Sequence, residues 1–138
     1  MVEFMTLQDW TRQTEAGIVH YSGKALYRNA FDFEPEAGRR YWIQLNRVED
    51  VGIASVALNG KELGIAWTKP FRLEITDALV SGRNHLEITV VNSWLNRLIG
   101  DRGKPPEQSY TRTNIHVRDD WSLVPSGLLG PVEILSGN

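Results

Sequence analysis

The feature that most limits what this chain can fold into is a period-two alternation of apolar and polar residues, broken at short intervals by turn residues. Ala25, Tyr27, Phe31 and Phe33 share one face of the segment from Lys24 to Phe33, and Tyr41, Ile43 and Leu45 alternate with Trp42, Gln44 and Asn46. Val56 and Leu58 run into Asn59-Gly60, followed by Lys61 to Ile65. Asn-Gly between two such runs marks a hairpin, because a type I′ turn needs positive φ at both central residues. Phe71, Leu73 and Ile75 read as the next strand, Leu86, Ile88 and Val90 as another, and Val132 with Ile134 as the last. Thr76-Asp77-Ala78-Leu79 reads as one helical turn ending near Gly82. Many short strands without a long amphipathic helix predict an all-β chain, an antiparallel β-sandwich or jelly roll of about eight strands.

One stretch departs from this pattern. From Asn92 to Trp121 the chain makes a long loop excursion with little strand character. Leu95, Leu98 and Ile99 are spaced for a short helix, with Ser93 placed to cap its start and Gly100 to end it. Loops of this length in a compact domain are usually functional or mobile.

At 138 residues the chain has room for a single domain, 1–138, with residues 1–15 as an N-terminal extension. A net charge of −2 with interspersed signs offers no basic face to nucleic acid or an anionic membrane. No apolar run approaches the roughly 18 residues that span a bilayer. Met1-Val2-Glu3-Phe4-Met5 has neither the basic end nor the apolar stretch of a secretory signal. The expectation is a cytoplasmic protein or, preferred, an excised piece of a longer exported one. Without cysteine there are no disulfides, thiolate nucleophiles or Cys-based metal sites.

The runs Tyr21-Ser22-Gly23-Lys24-Ala25-Leu26-Tyr27-Arg28, Leu58-Asn59-Gly60-Lys61-Glu62-Leu63-Gly64, Pro70-Phe71-Arg72-Leu73-Glu74-Ile75-Thr76 and Gly82-Arg83-Asn84-His85-Leu86 are similar to the galactose-binding-like domains of family 2 glycoside hydrolases. Asn92 to Asp101 and Ser126 to Val132 resemble still more the terminal sandwich of family 106 glycoside hydrolases, the α-L-rhamnosidases. The resemblance runs from about Leu7 to Leu135. It implies a jelly-roll module attached to a large glycosidase, secreted or periplasmic, whose catalytic barrel is missing from this chain. Its implied partners are that catalytic domain and a carbohydrate, with rhamnose- or galacturonate-containing plant polysaccharide in view. Sandwich modules of this kind often hold a structural calcium, but no dense Asp/Asn loop marks one, and no cofactor is indicated.

Glycoside hydrolysis needs two carboxylates facing one bond, and no such pair stands out. Asp101, Asp119, Asp120 and Glu107 read as loop charges, and the Gly-x-Ser-x-Gly elbow is absent. His20, His85 and His116 are too dispersed to suggest a metal site. The expectation is therefore no catalytic residue and no metal ligand.

Sugar binding needs a flat apolar ring beside planar polar groups. Trp94, Asn96, Arg97, Asp101 and Tyr110 supply that mixture in the excursion, and Trp67 and Lys69 form a second cluster after the hairpin. On a helix, Trp94, Arg97 and Asp101 would share a face opposite Leu95, Leu98 and Ile99. Two readings stay open: a sugar-binding wall, or a latch in which Arg97 stacks on Trp94 and pairs with Asp101. The preferred function is a non-catalytic carbohydrate-binding module of a plant-polysaccharide-degrading glycoside hydrolase, and the alternative is a structural domain that packs on a catalytic barrel and binds no sugar alone. Trp42 and Trp121 read as packing residues, and Trp10 as the anchor of the N-terminal segment.

Overall fold

A computed structural model describes residues 3–137. The strands are β1 (Lys24–Phe33), β2 (Arg40–Gln44), β3 (Val48–Glu49), β4 (Ile53–Leu58), β5 (Lys61–Ala66), β6 (Arg72–Glu74), β7 (Gly82–Val91), β8 (Gly127–Leu128) and β9 (Glu133–Gly137). Two short helices, α1 (Ala16–Val19) and α2 (Leu95–Asp101), complete the described elements together with three single 3₁₀ turns. A four-stranded sheet ordered β1-β7-β4-β5 faces a three-stranded sheet ordered β6-β2-β9, and β3 pairs with β8. All pairings are antiparallel. The expected all-β sandwich is observed. The two-residue β3 and β8 had no sequence signal, since a pairing so short leaves no period to read.

Alternation decides what each strand buries. On β7, Asn84, Leu86, Ile88 and Val90 point inward while Arg83, His85 and Glu87 point to solvent. Across the interior they meet Tyr41, Ile43 and Leu45 from β2 and its end, with Phe71, Ile75 and Leu128 closing the core. Trp42 has the opposite phase. It lies on the outer face of the three-stranded sheet, half-buried, with Arg40 stacked 5.2 Å from its ring centre.

Asn59 and Gly60 take φ of 53° and 79°, as a type I′ turn demands. Asn59 does more than turn. Its side-chain amide donates to the Ala78 carbonyl and to Asn84 Oδ1, both at 2.8 Å, and its Oδ1 accepts from His85 N. Asn84, with no solvent-exposed surface, accepts from Val80 N and donates to the Val80 and Gly82 carbonyls. These two amides weld the hairpin tip, the 3₁₀ turn at Thr76–Ala78 and the start of β7 into one corner.

The N-terminal segment is held at the other end. Trp10 is buried, its indole N–H donates to the Tyr27 hydroxyl at 2.6 Å, and its amide donates to Ser126 O. That hydroxyl also accepts from Leu128 N. Burial pushes the Tyr27 phenol pKa up, more than these two donated bonds pull it down. Between the free edges of β1 and β9 the sandwich stays open as a cavity of about 880 Å³, lined by Tyr27, Phe31, Ile43, Ile134 and the N-terminal Phe4 and Leu7.

Candidate functional site

The strand register places the two predicted clusters at one end of the sandwich. Ala66, the last residue of β5, pairs with Ala54, and Val91, the last of β7, pairs with Ile53. Trp67 and Trp94 therefore emerge from strands on either side of β4, two strand spacings or about 10 Å apart at the base. Both rings stand in solvent, at 71% and 66% exposure. Lys69 is also exposed, ahead of the cis Lys69–Pro70 bond.

The excursion leaves β7 through a fixed hinge. Asn92 is buried, accepts from Gly23 N and donates to Tyr21 O and Ser126 Oγ. Ser93 N donates to Asp50 Oδ2 at 2.7 Å. Helix α2 then starts with Trp94 as its cap residue and runs through Gly100 to Asp101. The expected boundaries shift accordingly. Ser93 accepts from Leu95 N but stands one residue before the cap, and Gly100 lies inside the helix. Gly100 serves close packing instead: a Cβ there would lie 2.5 Å from His20 Cγ and 2.6 Å from an Arg97 Nη. Gly100→Ala is expected to cost about 2 kcal/mol through that overlap, measured by urea denaturation.

The helix divides the predicted residues into two groups. Asn96 has no exposed surface. Its amide donates to Val124 O at 2.8 Å and its Oδ1 accepts from Val124 N at 2.9 Å. Arg97 and Asp101 form an ion pair at 3.1 Å with side chains only 14% and 5% exposed. Asp101 Oδ2 accepts from Tyr110 N, Thr111 N and Thr111 Oγ1, all within 2.9 Å. The guanidinium of Arg97 lies 4.7 Å from the centre of the Tyr110 ring, whose outer side is open. Arg97 thus pairs with Asp101 as the latch reading expected but stacks on Tyr110, because Trp94 points away into solvent. Burial alone would raise the Asp101 pKa. The Thr111 hydroxyl and amide, the Arg97 charge and the Tyr110 amide outweigh it and hold the carboxyl below its ordinary range.

Sequence reasoning missed Arg102 and Thr111. Arg102 reaches Arg118 O at 2.8 Å, so side chains from Asn96 to Arg102 clamp the neck of the excursion onto α2 and the irregular segment before β8. Neither residue carried a signal, since their partners lie many residues away. Beyond the neck, among residues 102–121 only Ser109, Thr111, Val117 and Trp121 are even partly buried. Trp67→Ala and Trp94→Ala are expected to change stability by no more than about 0.5 kcal/mol, read from thermal melts.

Two cavities of the described residues lie elsewhere: the 880 Å³ opening, and a shallower depression of about 580 Å³ beside Arg28, Arg83, His85 and Glu87. Neither takes in Trp67, Trp94 or Tyr110. Among the described residues, no three His, Asp or Glu side chains gather as a metal site, and no helix is long and apolar enough to cross a membrane.

No protein-family model matches the chain. It is 34% identical to a protein named "Putative beta-glucuronidase" of Formosa agariphila, over 96% of this chain and 14% of that protein. The structure of a rhamnosidase from Novosphingobium sp. PP1Y superposes with a TM-score of 0.89 and 39% identity, over 99% of this chain and 13% of that one. A β-D-glucuronidase of Dictyoglomus thermophilum shares the fold at a TM-score of 0.65 and 19% identity, covering 99% of this chain and 24% of that chain. The chain therefore spans about one seventh of the curated relative it matches. It is a small all-β domain whose structural neighbours are parts of glycoside hydrolases.

Proposed function

We propose that this domain is a non-catalytic accessory sandwich, of galactose-binding-like jelly-roll type, belonging to a larger exported glycoside hydrolase. One observation carries the reading. Of the predicted sugar-contacting residues, Asn96, Arg97 and Asp101 are turned inward to hold the neck of the excursion, while Trp67, Trp94 and Tyr110 stand exposed. Those three polar groups are taken up within the domain and are not free to recognise sugar hydroxyls. The buried Asp101 is committed to four groups of its own domain, so it is not free to act as a proton donor or nucleophile. The matches to small pieces of a rhamnosidase and of glucuronidases support the same context.

The expected result is no turnover of aryl-rhamnosides or aryl-glucuronides by the 138-residue chain. Turnover abolished by a single Asp or Glu substitution would sink the proposal. Direct sugar binding is the second reading, favoured by Trp67 and Trp94 standing exposed at one end. Titration with rhamnose- and galacturonate-containing oligosaccharides separates the two. Saturable binding that Trp67→Ala and Trp94→Ala each weaken severalfold would replace the structural reading with the carbohydrate-binding one.

A further inference from the structure

We infer that residues 102–121 form a docking arm whose partner is the catalytic portion of the larger glycoside hydrolase, met through an apolar centre and an acidic rim on that partner. The inference rests on the accessory reading above and names the surface through which it works. Three features of the arm converge. Its neck is fixed by Asp101 on Tyr110 and Thr111, by Arg102 on Arg118 and by Asn96 on Val124. Its length has almost no burial within the domain, and its one 3₁₀ turn is Pro106–Gln108. Ordering a chain segment is entropically costly and is normally offset by burial, so an arm ordered at the neck and bare along its length is completed by another surface.

The exposed chemistry indicates what that surface is. Tyr110 is 81% exposed and Ile115 53%, and Trp94 stands at the base of the helix that carries the arm. Arg112 is exposed and enters no ion pair among the described residues. An aromatic and apolar centre with arginine beside it is the composition of protein interfaces rather than of free surface. Sugar alone would not call for Ile115. The match of 99% of this chain inside a rhamnosidase of which it is 13% supplies the occupant: in that setting most of the polypeptide lies outside this domain.

The test replaces the matched segment of the Novosphingobium rhamnosidase with this chain and compares amide exchange of residues 103–117 in the graft and in the isolated domain. The expected result is exchange slowed about tenfold or more in the graft. Arg112→Glu with Ile115→Asp should return it to the isolated-domain rate, while leaving the melting temperature of the isolated domain unchanged. A folded, active graft in which the arm exchanges as fast as in the isolated domain overturns the docking arm and leaves the accessory reading standing. A graft with its native arm that neither folds nor cleaves overturns the accessory reading, and the docking arm with it.

Discussion

Asn84→Ala is expected to destabilise the domain by about 4 kcal/mol, more than any other substitution proposed for it. Asn84 is fully buried and makes four hydrogen bonds: two accepted, from Asn59 Nδ2 and Val80 N, and two donated, to the Val80 and Gly82 carbonyls. Truncation strands two donors and two acceptors in the interior, each worth about 1–3 kcal/mol when left unpaired. Some of this is recovered where carbonyls find water, which keeps the figure below the simple sum. Asn84→Asp separates the polar from the steric part. The substitution keeps the accepted bonds but places a carboxylate against two carbonyl oxygens, so the new carboxyl should have a folded pKa above its unfolded value of about 3.9. A group raised in this way contributes stability at low pH and loses it as pH rises. The Asn84→Asp variant should therefore weaken from about pH 4 upward. Urea denaturation of both variants against pH tests this; an Asn84→Ala loss under 1 kcal/mol would show that the corner is not welded as described.

Asp101→Ala is expected to cost about 3 kcal/mol and to free the arm. Removing the carboxylate leaves the Arg97 guanidinium nearly buried without its counter-charge, and releases Tyr110 N, Thr111 N and the Thr111 hydroxyl together. For a chain of this size the melting temperature should fall by about 10 °C. Proteolysis should then cut within 102–121 before it cuts the strands. Asp101→Asn tests the charge alone. In the natural protein the Asp101 carboxyl has a lowered folded pKa, so its contribution is present above the unfolded value and fades as pH falls through the folded one. The Asp101→Asn variant should lose that part of the acid sensitivity. Equal protection of the arm from proteases in Asp101→Ala and the natural domain would contradict the clamp.

Much of the sandwich was legible because strands declare themselves locally. Asn59-Gly60 and the phase of β7 follow from neighbours two residues away. The corner amides were not legible. Asn84 reads as a turn residue in Gly82-Arg83-Asn84, yet its partner Asn59 lies 25 positions earlier, beyond any local period. The candidate site shows the same division. Arg97 and Asp101 are one helical turn apart, so their pairing was visible in the sequence. Which ring Arg97 would meet was not, because that depends on the direction in which β7 delivers the chain to α2. Asn96 and Trp94, two residues apart, were placed in one cluster, and the helix sends one to the interior and the other to solvent.

The clamps at the neck also have a consequence for how relatives of this domain can diverge. They reach α2, the backbone around Val124 and the arm's own base, and none of them touches a residue of the two large sheets. Insertions between Gly103 and Ser109 would lengthen the arm without altering strand register or core volume. Doubling a flexible loop adds only about 0.6 kcal/mol of closure entropy. Selection can therefore rewrite the length and sequence of this one segment while the sandwich beneath it stays fixed, so that one scaffold can serve enzymes of different shape.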